Sequence, residues 1–240
     1  VNNATLRPEF APLGRDTMQE RVYLELRQAL MRGYFPPGEV LIVRRLSDQF
    51  RTSHMPVRDA LARLVAEQAL EVLPNRSVAV PVLSRERWQE LQEIRELLES
   101  RVAALAAARI STNEVAMLTQ LNRDMHTQVE RHDAETYLAT NWRFHFRLYA
   151  ASGRAATLRI IEGLWLQVGP TLRGSVDRML AEKRNNRGLT LAQHDAIVGS
   201  LQRRDVKGVR AGVAADLHTV TEYQLPLLRS EEQSDAMVPR

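Results

Sequence analysis

Apolar side chains recur at three- and four-residue spacing along most of this 240-residue chain, interrupted by one short alternating stretch around residues 70–82. Over residues 17–32, Val22, Leu26, Ala29 and Leu30 share a face behind a capping-box pattern at Asp16-Thr17-Met18-Gln19, which predicts a first helix. A loop through Pro36-Pro37-Gly38 follows, then a short helix over RRLSDQF, residues 44–50. After a break at Arg51-Thr52 comes SHMPVRDALARLVAEQAL, residues 53–70. Ser53 suits its N-cap, and Pro56 is tolerated because first-turn N–H groups have no intrahelical acceptor. Val57, Leu61, Leu64 and Val65 give this helix its buried face. Residues 70–73 and 78–82 then alternate around Pro74-Asn75-Arg76-Ser77 and predict two short strands joined by a turn.

Beyond Ser84 the period is helical throughout, and proline nearly vanishes until Pro226, apart from Pro170. Helices are predicted over 84–109, 134–151, 155–182, 188–203 and 206–228, and a capping box at Ser111-Thr112-Asn113-Glu114 opens another that ends near 131. The expected organisation is a flexible arm over 1–14, a DNA-binding unit over 15–82, a helical domain over 83–229 and a disordered tail over 230–240. The fold class is mainly α: a winged helix-turn-helix with a small β-hairpin wing, followed by an all-α antiparallel helical bundle.

Composition narrows the function. A hydrophobic content of 44% suffices to bury a core. The absence of cysteine excludes disulfides, thiolate metal sites and cysteine nucleophiles. Residues 1–10 lack the apolar run of a signal peptide, and no stretch reaches the roughly 18 apolar residues of a membrane span. The expectation is a cytoplasmic protein with no membrane partner. The formal charge of +4 and the pI of 9.8 suit a nucleic-acid partner.

In a helix-turn-helix the second helix enters the major groove by its N-terminal end. Opposite its apolar face that helix carries His54, Met55 and Arg58; Arg44 and Arg45 precede it, and Arg76 sits at the tip of the wing. Residues 36–80 resemble the GntR-type transcriptional regulators. Pro37-Gly38, Leu46, Ser53, Pro56-Val57-Arg58, Ala60-Leu61, Leu64 and Pro74-Asn75-Arg76 carry the match. The resemblance implies operator DNA as partner, contacted by Arg44, Arg45, Ser53, His54, Met55, Arg58 and Arg76. Two departures stand out. His54 and Met55 replace an arginine and a threonine, and His54 cannot make the bidentate contact an arginine makes to guanine. Ser77 replaces the wing glycine, where a side chain restricts the backbone.

In the helical domain, His145, His194 and His218 each fall in an apolar or small-residue stripe of a different helix. One such histidine is ordinarily a satisfied core residue; three facing helices of a bundle can build a metal site. No carboxylate is expected beside them, with Asp195 and Glu222 pointing elsewhere. Residues 85–228 resemble the FadR-like subgroup, whose helical FCD domain binds effectors. The resemblance implies a divalent metal, zinc or nickel first, held by Asn141, His145, His194 and His218, with Asn141 standing where relatives have aspartate. It also implies that Arg95 holds the carboxylate of a small effector, with Asn141 and His145 beside it. The resulting expectation is a ligand-responsive dimeric repressor on an inverted-repeat operator, not an enzyme. The alternatives are a helical-bundle metalloenzyme with an N-terminal interaction module and a DNA-binding architectural dimer without effector.

Overall fold

The structure, a computed structural model, describes residues 18–181 and 187–228. The expected arm over 1–14, the cap at Asp16-Thr17 and the tail over 230–240 lie outside the described residues. Helix α1 spans Met18–Met31 and buries Val22, Leu26 and Leu30, the predicted stripe. Helix α2 (Val43–Phe50) and helix α3 (His54–Ala66) form the helix-turn-helix, with α1 packed on α3. The turn between them hinges on Arg51, in the left-handed region at φ 52°, whose N–H returns to the Asp48 carbonyl. Ser53 has the extended backbone of an N-cap, although its hydroxyl makes no capping bond. Helix α3 ends four residues before the predicted Leu70, because Gln68 turns left-handed at φ 59° and sends Ala69 and Leu70 into the core.

Strands β2 (Glu71–Val72) and β3 (Val78–Ala79) are the predicted hairpin. A third strand, β1 (Val40–Leu41), was not anticipated; it pairs antiparallel with β3, which becomes the central strand of the order β1-β3-β2. Two residues are too few for alternation to be recognised in a sequence.

The remaining described helices form the antiparallel bundle. Helix α4 (Arg85–Ala107) starts on the Ser84 hydroxyl, which accepts from the Arg87 N–H. Helix α5 (Thr112–Glu130) carries the predicted capping box in full. Helix α6 (Ala134–Ala150) is capped by Asp133, and α7 (Ala155–Ala181), α8 (Arg187–Gln202) and α9 (Val206–Gln224) follow, the last running into a 3₁₀ turn at Leu225–Leu227. Helix α9 packs between α4 and α8, while α5 closes against α6 and α8.

Helix α7 joins the two parts of the molecule. A Cβ on its Gly169 would lie 2.5 Å from the Leu30 carbonyl oxygen and 2.8 Å from the Met31 Cα, so only glycine permits this approach to α1. The Arg27 guanidinium of α1 reaches Glu162 of α7 at 3.0 Å. Pro170, inside α7, follows directly on the contact with α1.

Candidate functional site

At the N-terminal end, Arg44, Arg45, Ser53, His54, Met55, Arg58 and Arg76 are all exposed. Met55 is 62% exposed, an unusual position for an apolar side chain at the front of a helix. Among the described residues none of these four arginines forms an ion pair, whereas Arg63, further along α3, pairs with Glu20 and Glu67. The front of α3 therefore keeps its positive charge free and the back does not. In the wing, Asn75 Oδ1 accepts from the Ser77 N–H at 3.0 Å, and the left-handed residue is Arg76, at φ 64°. Ser77 itself has no positive φ, so the restriction expected there falls on Arg76 instead.

Inside the bundle the predicted histidines separate. His145 of α6 and His194 of α8 are buried and face each other, Nε2 to Nε2, at 3.2 Å. His218 does not join them. Its side chain is 68% exposed and pairs with Glu222 at 3.2 Å. The inward face of α9 is Val209, Gly212, Val213, Asp216 and Leu217, and two residues further on points about 200° away. The position expected for the third imidazole is held by Asp216, contrary to the expectation that no carboxylate lies there. Its Oδ2 is 3.4 Å from His145 Nε2 and its Oδ1 is 3.8 Å from His194 Nδ1. Asp216 was legible in principle, because it continues the spacing of Val209, Gly212 and Val213.

Arg95 is corrected too. Expected at the edge of the apolar stripe and free for an effector, it is 2% exposed and occupied. Its guanidinium donates to Glu99 at 2.6 and 3.4 Å and to Gln92 at 3.0 Å, and it stacks 4.6 Å from the Trp165 ring. Glu99, fully buried, also accepts from Trp165 Nε1 at 3.0 Å and from the Tyr149 hydroxyl at 2.7 Å. Burial, and then the Glu99 charge, hold the Tyr149 phenol well above its ordinary pKa, so that proton stays on the tyrosine.

This chain of contacts assigns the proton on His145. The Tyr149 hydroxyl has a single proton, donated to Glu99, so its oxygen accepts from His145 Nδ1 at 3.0 Å. With Nδ1 protonated, a neutral His145 presents the Nε2 lone pair to Asp216 and His194. Burial raises the Asp216 pKa, but the facing His194 and His145, with Arg95 behind them, outweigh it and the carboxyl lies below its ordinary range. Asp216 Oδ1 is buried without a hydrogen-bond partner. The His145 lone pair can accept from a His194 Nε2–H, or the same three residues can turn their lone pairs on a metal ion. The donor atoms of the three residues lie within 4.8 Å of one another. A tetrahedral ion with ligands at about 2.0–2.1 Å spaces them about 3.3 Å apart, close to the separations of His145 from its two neighbours. The residues present fit a divalent cation.

Beside this cluster lies a small cavity of about 60 Å³ between α6, α7 and α9. Leu138, Leu172, Val176, Met179 and Val220 form its apolar wall. Tyr137, Asn141, Ser175, Thr219 and Tyr223 supply its polar atoms. Asn141, half-buried, lines this cavity one turn before His145, and Arg95 does not line it.

No described helix is long and apolar enough to cross a membrane. Residues 18–80 match the bacterial regulatory proteins of the gntR family, and residues 90–219 match the FCD domain. The chain is 30% identical over 187 residues to the HTH-type transcriptional regulator McbR of Escherichia coli K12, covering 78% of this chain and 83% of McbR. It is 24% identical over 205 residues to the transcriptional repressor RspR of the same organism, covering 85% of this chain and 88% of RspR. The solved structure of E. coli McbR/YncC superposes with a TM-score of 0.79 at 27% identity, over 89% of this chain and 99% of that one. Proteins of this kind are transcriptional regulators rather than enzymes, which sets the metalloenzyme alternative aside. The chain therefore belongs to the GntR family of DNA-binding transcriptional regulators, with an FCD domain as its C-terminal part.

Proposed function

We propose that this regulator is a repressor that binds an inverted-repeat operator as a homodimer and releases it when a small metabolite enters the cavity between α6, α7 and α9. The DNA-binding unit covers residues 15–82 and the effector and dimerisation domain residues 83–229. Arg58, His54 and Met55 face base edges, while Arg44, Arg45, Ser53 and Arg76 hold the backbone. The RspR relative is named a repressor. Exposed Ile94 and Leu97 on α4 and Ile160 on α7 supply apolar surface for a second copy.

A divalent cation, zinc or nickel first, is held by His145, His194 and Asp216. When bound it neutralises the Asp216 charge and cross-links α6, α8 and α9. The observation that carries this is the lone pair of His145 Nε2, turned by Tyr149 and Glu99 toward Asp216 Oδ2 at 3.4 Å and His194 Nε2 at 3.2 Å. The Arg95 guanidinium, expected to hold an effector carboxylate, is occupied by Glu99.

Effector binding shifts DNA affinity only if the two arrangements of the heads differ in effector affinity. Helix α7 provides the connection, since it touches α1 at Glu162 and Gly169 and lines the cavity from Leu172 to Met179. The test is a gel-shift titration on the gene's own upstream DNA, with metal analysis of wild type and His194→Ala. The expected results are a specific, salt-sensitive shift and stoichiometric metal in the wild type alone. Salt-insensitive binding would sink the DNA reading, and equal metal content in the two proteins would sink the metal site.

A further inference from the structure

Helix α3 carries one side chain at odds with its surroundings. Val57, Ala60, Leu61 and Leu64 form the buried stripe of this helix. At about 100° per residue, Met55 projects about 170° from the centre of that stripe, which makes it the outermost side chain of the first turn. It is 62% exposed and takes no part in the hydrophobic core. Ala62, two turns further along the same side, is also exposed, and its small side chain permits close approach. Arg58 stands beside Met55 on the helix surface. Neither it nor Arg44 nor Arg45 is paired with a carboxylate among the described residues.

A recognition helix enters the major groove with its N-terminal residues at the base edges, so its outermost first-turn side chain meets the groove floor. Methionine brings no donor there, and its sulfur is only a weak acceptor. Set against an amino, carbonyl or ring-nitrogen edge, it strands a polar group without a partner. A phosphate oxygen is no better served. The C5-methyl of thymine is the one apolar feature that the major-groove edge presents.

Resting on the DNA-binding reading above, we propose that Met55 is a specificity-determining residue that packs on a thymine C5-methyl. Each operator half-site then holds a thymine facing the first turn of α3. Arg58 supplies hydrogen bonds and charge beside it, and Met55 supplies the apolar contact, so the two side chains read adjoining features by different chemistry.

The test starts from in vitro selection of a random duplex library on the full chain, wild type and Met55→Ala. Met55 is exposed and outside the core, so the alanine leaves the fold intact. The wild type enriches a motif with one thymine per half-site whose preference relaxes in Met55→Ala, while the surrounding positions keep theirs. That thymine is then replaced in one half-site by deoxyuracil, which removes the methyl and leaves the base pairing unchanged. Anisotropy titration of the wild type shows a loss of roughly fourfold, the worth of one buried methyl-sized group. Met55→Ala loses less than about twofold, within the additivity of independent sites. A selected motif with no such thymine overturns the proposal, as does a wild-type affinity that deoxyuracil leaves unchanged. An equal loss in both proteins overturns it too, because the methyl then acts through the shape of the duplex. Each of these outcomes leaves the DNA-binding reading intact, whereas a library that enriches no motif removes both.

Discussion

Arg58 and Arg95 sit on long helices of the two halves of the molecule, and their surroundings give them opposite tasks. Arg58 is exposed on the front of α3, with no carboxylate paired to it among the described residues. Arg95 is 2% exposed on α4, and every part of its guanidinium is engaged by Glu99, Gln92 or Trp165. A cation left free at the surface can release counterions from a phosphate backbone. A cation sealed in a low-dielectric interior must be matched by an anion, and then serves to orient what that anion touches. Here the anion is Glu99, and it orients Tyr149 and, through it, His145.

Substitutions at four positions bear on this contrast. The largest effect is expected from Glu99→Ala, which leaves the Arg95 guanidinium buried without its anion. Breaking a buried pair from one side costs about 3–5 kcal/mol, so the denaturant midpoint should fall steeply. A change below 1 kcal/mol, measured by urea unfolding, would mean that Arg95 reaches water and the core is not sealed. Next is Arg58→Ala, expected to weaken operator binding by about 1–3 kcal/mol with little change in stability. Fluorescence anisotropy at several salt concentrations separates a base contact, which alters sequence preference, from a phosphate contact, which lowers the salt slope by about one.

Tyr149→Phe sharpens the comparison from inside the bundle. It removes the acceptor that fixes the proton on His145 Nδ1, and outer-shell losses of this kind reduce metal affinity about 10–100-fold. Competition with a chromogenic zinc chelator measures it, and His218→Ala serves as the control that should not change. The smallest effect is at the cap of α6. Asp133 accepts from the Thr136 N–H, and that bond, more than any nearby charge, lowers its carboxyl pKa. A carboxyl whose pKa is lower in the folded state stabilises above its ordinary value near about 3.9 and loses that stabilisation as pH falls through the folded value. Asp133→Ala should cost about 1 kcal/mol at pH 7, and Asp133→Asn only a few tenths. The wild type should lose its advantage over Asp133→Asn in acid, and parallel thermal-unfolding curves for the two from pH 6 to pH 2 would refute the cap assignment.

Much of the fold was legible from local physics. Capping at Ser84 and Ser111, the left-handed break after Phe50 and the apolar spacing of each long helix are short-range properties, and they mark the helices to within a few residues. The ordered motif from Pro37 to Arg76 indicated the family for the same reason, since a helix-turn-helix is specified by neighbours in the chain. The strand at Val40–Leu41 was not legible, because its pairing with β3 lies about 40 residues away and leaves no local period.

The bundle site divides in the same way. Periodicity placed His145 and His194 inward, and both are buried. It also allowed His218, two residues out of phase on α9, and it hid the partners of Arg95, because a stripe does not show which neighbour fills it. The sequence alone determined that this chain builds a DNA-reading head before a helical domain, since periodicity, capping and motif order are written along the chain. Only the tertiary structure decided that Asp216 rather than His218 completes the cluster and that Arg95 belongs to Glu99. Each of those depends on which helices meet and at what rotation, and a rotation of one or two residues turns a ligand into a surface side chain.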